Sequence, residues 1–298
     1  MISISKIKGS VLLLTASLVW GSTFVPQKIA MDFWSPLQFT SFRFLIGGII
    51  LLLFVNIKEI NVSNKLHFIM YSSLSGLILG LAALFQQIGI VSTSATNAGF
   101  FTGLYVLMVP LIGIFLLKIP HWSIWPCVII CFFGSILLGT SEGSIFSLDL
   151  NTGDIWVIIS ALFWAMHLHI VSCSVKRFPI LIFSIFQFIL CGAFLFLYGI
   201  SFQKNLMFNF QIVNSHAIFT LLYCSLGSVC IGFTLQMFGQ RLVSPTPAAL
   251  IMSSEAVFAA IFGWFILSEV LNFKGLIGAT LILLGILLVQ ILPKLKIN

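Results

Sequence analysis

Charge is what this chain has least of. Of its 298 residues only 7% are Asp, Glu, Lys or Arg, against about 25% in a soluble domain. So few ionic side chains cannot clothe a water-facing surface, which excludes a soluble globular protein. Acidic residues are scarcest, seven in all, and only Glu255 falls in the middle of a hydrophobic run; clustered carboxylate catalysis is excluded with them. Long polar stretches are missing too, so there is no room for a soluble domain. Absent as well are HExxH, a GxSxG elbow and a phosphate-binding glycine loop, the signatures of zinc proteases, serine hydrolases and nucleotide-driven pumps. The six cysteines (Cys127, Cys131, Cys173, Cys191, Cys224, Cys230) all lie within apolar runs. No loop location suits a disulfide, and no second Cys or His pair completes a zinc site with Cys127 and Cys131. No metal and no cofactor is expected.

What is there is hydrocarbon. Hydrophobic residues make up 60% of the chain and the mean hydropathy is +1.17. A bilayer crossing needs about 20 mostly apolar residues, and ten such runs are read at 9–30, 35–56, 67–90, 94–117, 122–140, 153–174, 178–200, 216–240, 244–267 and 273–292. The first is too long for a signal-peptide core and reads as an uncleaved helix. The basic residues sort by side. Lys6, Lys8, Lys58, Lys65, Lys118, Lys176, Arg177, Arg241, Lys294 and Lys296 fall on the face of the termini, and only Lys28, Lys204 and Lys274 on the other. By the positive-inside rule both termini are cytoplasmic. The net charge of +7 therefore reflects topology, and no nucleic-acid partner is expected. The longest connections are 141–152 and 201–215; the second, with interspersed Phe, is read as lying along the bilayer surface.

The second half is a faint copy of the first. At an offset of 144, Gly9 meets Gly153, Trp20 meets Trp164, Phe39 meets Phe183 and Gly48 meets Gly192. At 150, Gln86 meets Gln236, Gly89 meets Gly239, Ser94 meets Ser244 and Gly113 meets Gly263. Five crossings per copy leave the chain on the opposite side, so the copies enter the membrane inverted. The expected fold is an all-α integral membrane protein of ten transmembrane helices, arranged as two inverted five-helix repeats over 1–147 and 148–298. Such repeats are an architecture of secondary transporters, with the substrate site near the midplane.

The stretches WGSTFVPQKIAMD (20–32), FRFLIGG (42–48), QQIGIVSTSATNAGFFTGLYVLMVP (86–110) and SPTPAALIMSSEAVFAAIFGWFILSE (244–269) resemble the drug/metabolite transporter superfamily, and within it the EamA family of ten-helix permeases. The resemblance spans nearly the whole chain but rests on packing motifs, which say little about the substrate. It implies small-molecule transport, often export of amino acids or other metabolites. The family pattern often has Glu followed by Pro where this chain has Glu255 followed by Ala256.

Candidate substrate-binding residues are the polar and aromatic ones at membrane depth. A charge at mid-bilayer costs about 2.5–3.5 kcal/mol on insertion scales and must face the bundle interior or water. Glu255 is thus either a protonatable coupling site or ligand partner, or a buried carboxyl that helps packing. Arg43 either binds a substrate carboxylate or closes an internal ion pair; its counterpart is Gln187. Trp20, Tyr105, Trp164 and Glu255 lie mid-span, and Tyr105 with Glu255, like the two tryptophans, are repeat equivalents. Equivalent midplane residues approach the pseudo-two-fold axis and are read as lining the cavity. Gln86, Asn97, Gln27, Gln87 and Gln236 need partners in hydrocarbon, or line a wet path. His167 and His169 point to nearly opposite helix faces and cannot share a metal; His167, the counterpart of Thr23, is read as facing the cavity. Gly76 with Gly80, and Gly99 with Gly103, are read as packing contacts, and Pro26, Pro110, Pro245 and Pro247 as hinge candidates.

The expected function is a secondary transporter exporting small organic solutes, such as amino acids or related metabolites, by alternating access at a midplane site. The alternative is multidrug or cationic-compound efflux by proton antiport, with an intramembrane lipid-modifying enzyme as a remote third; the chain is not read as an enzyme. Its partners are a small-molecule substrate and the lipid bilayer, with proton coupling through Glu255 or a histidine as one option. Substrate identity, direction, coupling ion and oligomeric state are not legible.

Overall fold

Most hydrophobic runs begin where a short polar side chain takes over the first free amides of a helix. Ser35 caps one and forms a reciprocal box with Gln38, Asn151 does the same with Asp154, and Asn64, Ser94 and Asn214 cap three more. In the computed structural model, which describes residues 4–55, 62, 64–117, 119–139, 150–203, 207, 214–270 and 272–291, the result is a helical bundle with no strand among the described residues. The helices are α1 (Ile4–Ala30), α2 (Pro36–Leu53), α3 (Lys65–Ile90), α4 (Ala95–Phe115), α5 (Ile124–Gly139), α6 (Thr152–Ser174), α7 (Ile180–Phe202), α8 (Ser215–Leu242), α9 (Pro245–Leu267) and α10 (Phe273–Ile291). Nine are long and apolar enough to cross a membrane. The remaining one, α5, has 16 residues, about 24 Å of helix, and is shorter than the span of 122–140 expected for it. Leu14, Phe115, Trp264 and Leu287 are among the many large apolar side chains on the bundle's outside, as a lipid-facing surface requires. The inter-repeat junction at 140–149 and most of the 201–215 connection lie outside the described residues, including the boundary at 147/148. Met207, from that connection, is buried and accepts a hydrogen bond from Gln38 Nε2 at 3.0 Å.

The packing pattern is symmetric under exchange of the repeats. Helices α2, α4 and α5 each pack on their own counterpart, α7, α9 and α10. The crossed pairs match as well: α1 lies on α8 and α9, as α6 lies on α3 and α4. The two halves are thus interleaved around a pseudo-two-fold axis. Glycines make the closest crossings. A Cβ on Gly89 would stand 2.5 Å from the Gly153 carbonyl oxygen, and one on Gly239 would stand 3.1 Å from that of Gly9. These are one contact occurring twice, because Gly9 corresponds to Gly153 and Gly89 to Gly239.

Both fourth helices are broken at the same depth. Helix α4 divides into Ala95–Gly103 and Tyr105–Phe115, and α9 into Pro245–Met252 and Ser254–Leu267. The prolines do not make these breaks: Pro26 lies inside an unbroken α1, and Pro110 sits beyond the α4 break. In α9 the Ser253 and Ser254 hydroxyls donate back to the Leu250 and Ile251 carbonyls at 2.7 and 2.8 Å. Helix α8 departs from its counterpart α3 by a nine-residue π segment, Ser225–Phe233.

The symmetry fails at the two ends of the bundle. At the end away from the chain termini (the distal face), three charged side chains clasp the turn between α3 and α4. Lys28 Nζ donates to the Ile90 and Val91 carbonyls at 2.9 and 3.0 Å. The Thr93 hydroxyl donates to Asp154. Glu269 accepts from the Ala95 and Thr96 amides, both at 2.9 Å, and from the Thr96 hydroxyl. The corresponding residues on the terminal face are Ser172, Ser10 and Ile119, which carry no charge.

Three outcomes follow for stability. Substituting Gly153→Val forces apart the α3/α6 crossing and lowers stability by about 1–3 kcal/mol, the usual cost of overpacking. Gly80→Ala, whose Cβ would meet its nearest neighbours at an ordinary 3.6 Å, leaves the detergent melting temperature within a degree or two of wild type. Glu269→Ala strips the α4 N-terminus of its acceptors and costs about 1.5–3 kcal/mol, the worth of hydrogen bonds to a charged group, read in the same melting experiment.

Candidate functional site

A cavity of about 40 Å³ lies at the crossing of the two repeats. Helix α1 contributes Trp20, Thr23, Phe24 and Gln27, one face at helical spacing; α2 contributes Arg43 and α3 Gln86. The break in α4 presents Thr102 and Tyr105, and the break in α9 presents Met252 and Glu255. Helix α6 adds Trp164 and Leu168, and α8 adds Ser228, Phe233 and Gln236. Ten of these form five repeat-equivalent pairs: Trp20/Trp164 and Phe24/Leu168 at 144, and Gln86/Gln236, Thr102/Met252 and Tyr105/Glu255 at 150. The cavity therefore straddles the pseudo-two-fold axis.

Aromatic rings form its floor. Phe233 sits between the tryptophans, 4.9 Å from Trp20 and stacked at 5.7 Å on Trp164. Trp20 is fixed by its indole N–H, which donates to the Ser228 carbonyl at 3.1 Å; Gly232 leaves the room this needs, since a Cβ there would stand 2.4 Å from that nitrogen. Gln86 Nε2 donates to the Thr102 hydroxyl at 2.8 Å and Gln236 Nε2 to Gln240 Oε1 at 3.0 Å.

Two ionisable side chains of opposite sign face this space without meeting. Arg43 is 2% exposed, donates through Nη1 to Gln27 Oε1, and has Phe39 and Phe44 rings 5.4 and 5.2 Å from its guanidinium carbon. No described residue forms an ion pair with it. Glu255, 4% exposed, opens the second half of α9 beside Tyr105. Five buried atoms of the lining have no hydrogen-bond partner among the described residues: Arg43 Nε, Tyr105 Oη, Trp164 Nε1, Gln236 Oε1 and Glu255 Oε1. An orphaned polar atom in hydrocarbon costs several kcal/mol, so these atoms call for water or a polar ligand. Among the described residues no three His, Cys, Asp or Glu stand where they would hold a metal.

Six of the eight sequence-derived candidates, Trp20, Arg43, Gln86, Tyr105, Trp164 and Glu255, are brought together here. Two are not. Asn97 belongs to the first turn of α4, where its amide is capped by Ser94. His167 is fully buried behind Phe233, 6.1 Å ring to ring, with Nε2 3.2 Å from Gln187 Oε1. Phe24, Thr102, Leu168 and Met252 were not singled out, although the repeat offsets that pair the tryptophans pair them too. Phe233 has no such signal: its counterpart is Ala83.

If the orphaned atoms serve a ligand and not the fold, removing them is silent for stability. Tyr105→Phe, which deletes only the hydroxyl and keeps the ring, is expected to change unfolding free energy by under about 0.5 kcal/mol, while Trp20→Phe, which strands the Ser228 carbonyl, costs about 1–3 kcal/mol. Chemical or thermal unfolding in detergent reads both.

The sequence profile of the EamA-like transporter family matches residues 7–140 and again 151–291, one match per repeat. An uncharacterized transporter of Archaeoglobus fulgidus is 29% identical over 276 residues, covering 92% of this chain and 83% of that protein. The uncharacterized transporter YoaV of Bacillus subtilis is 23% identical over 292 residues, covering 92% and 94%. One solved crystal structure, 16% identical, superposes with a TM-score of 0.76 over 97% of this chain and 98% of that one, a likeness of fold.

Proposed function

Because the chain belongs to the EamA-like transporter family, we propose that it exports small zwitterionic solutes, amino acids or close relatives, across the cytoplasmic membrane by alternating access at the midplane cavity. The observation that carries this reading is the unpaired Arg43 and Glu255 on the walls of one aromatic-floored cavity. A solute carboxylate meets the guanidinium, whose planar fork suits it. The ammonium meets Glu255 and the faces of Trp20 and Trp164, which attract cations. Phe24, Leu168 and Met252 take the apolar side chain. Both charges of the solute are then matched, so crossing the bilayer does not strand an ion in hydrocarbon.

The loop charges support cytoplasmic termini, which makes the clasped distal face the exterior. Efflux of cationic compounds by proton antiport is the second reading. Glu255 and the aromatic floor favour it, but Arg43 repels a cation in the same cavity.

Counterflow in proteoliposomes separates them. With labelled neutral amino acids as probes, Arg43→Gln and Glu255→Gln are each expected to raise KM by about tenfold or more, the worth of a charge-assisted hydrogen bond. Glu255→Gln also flattens the pH dependence of transport. Tight transport of a monovalent organic cation that improves in Arg43→Gln would overturn the zwitterion reading, and unchanged pH dependence in Glu255→Gln eliminates this carboxylate as a proton carrier.

A further inference from the structure

Ten of the fifteen lining residues pair across the repeats; of the other five, Ser228 and Phe233 come from α8 and three come from α1 and α2. Thr23, Gln27 and Arg43 open onto the distal half of the cavity, yet their counterparts His167, Val171 and Gln187 are sealed from it. The seal is Phe233, whose ring stands edge-on to His167 at 6.1 Å and stacks on Trp164 at 5.7 Å. Its counterpart Ala83 lies buried in the packing between helices and does not reach the cavity. Phe233 closes the π segment Ser225–Phe233, whereas α3 is α-helical throughout. In an α-helix each residue turns the face by about 100°, so returning this segment to α geometry swings Phe233 away.

We infer that the terminal half of the cavity holds a second substrate subsite, built from His167 and Gln187 and gated by Phe233, which opens when the repeats exchange conformations. The inference rests on the transport reading above. When α8 takes the shape α3 has here, position 233 moves to where Ala83 is, and His167 and Gln187 take the places of Thr23 and Arg43. The subsite is preassembled. Gln187 Oε1 accepts from the Ser75 hydroxyl at 2.7 Å and faces His167 Nε2 at 3.2 Å, while His167 Nδ1 has no partner among the described residues. Its ligand is the same carboxylate-bearing end of the solute that Arg43 holds, now met by the imidazole and an amide where the other half offers a permanent guanidinium. The two faces of the carrier therefore differ in affinity.

Accessibility tests this without knowing the solute. In a variant with the six native cysteines replaced by alanine or serine, Thr23→Cys and His167→Cys are exposed in proteoliposomes to a charged, membrane-impermeant methanethiosulfonate, one face at a time. The expected result is modification of Thr23→Cys from the distal face only and of His167→Cys from the terminal face only. Adding Phe233→Ala speeds the latter about tenfold, a barrier change typical of one opened contact. Labelling of His167→Cys from the distal face, or its inertness with and without Phe233 while Thr23→Cys reacts, overturns the inference. Inertness of both cysteines counts against the transport reading itself. Should the cysteine-free chain not fold, Gln187→Ala in the native-cysteine chain decides: KM for labelled neutral amino acids rises about tenfold from the terminal face and stays within twofold from the distal face. An equal shift from both faces is the contrary result.

Discussion

Every polar group that this chain carries into hydrocarbon has to be satisfied by the chain itself or by something held in its interior. Most of the structure follows from that constraint. It makes the backbone helical, places short polar caps at helix starts, and turns Ser and Thr hydroxyls back onto carbonyls one turn away. Apolar attraction cannot hold helices together in lipid, so close packing must, and the paired glycine crossings of α1 on α8 and α3 on α6 supply it. Where the accounting does not close among the described residues, Arg43 Nε, Tyr105 Oη, Trp164 Nε1, Gln236 Oε1 and Glu255 Oε1 line one cavity, while others, such as Thr40 Oγ1, Ser72 Oγ and Thr234 Oγ1, lie elsewhere in the bundle.

A two-fold arrangement of unequal halves has a further consequence. If both halves carried identical side chains, the cavity would look the same from either face and the carrier would have no preferred state. Here the halves differ in kind. The distal turn is clasped by Lys28, Asp154 and Glu269, whose repeat counterparts are the uncharged Ser172, Ser10 and Ile119. Inside, Arg43 has Gln187 as its counterpart and Phe233 has Ala83. Each substitution breaks the degeneracy of two conformations that the backbone alone would make nearly equal in energy, and a shift of only a few kcal/mol sets which is populated.

Much of this was legible in the sequence because pattern and physics coincide there. Apolar runs of bilayer length mark helices, and the pairs Trp20/Trp164 and Tyr105/Glu255 stand out because such residues are rare within spans. The family match over 7–140 and 151–291 and the exchange-symmetric packing agree with the two-repeat fold read from those offsets. What stayed hidden depends on side-chain direction. His167 was expected at the cavity because Thr23 is its counterpart, and Thr23 does line it. The ring that covers His167 comes from a helix whose counterpart carries alanine, so no offset could reveal it. The prolines, hinge candidates by residue type, do not coincide with the breaks at Leu104 and Ser253.

The π segment ties these observations together. A π turn is a strained way to run a helix and tends to persist only where it serves a purpose. In α8 it covers the stretch that carries Ser228, whose carbonyl holds Trp20, and Phe233, which fills the space between the tryptophans. The same segment thus fixes one wall of the cavity and plugs its terminal half. A helix that must rotate part of its length without moving the rest needs a stored register difference, and Ser225–Phe233 holds one. Within the helices the inequality between the repeats is then local, a nine-residue segment of α8 that adds to the unequal side chains at the two ends.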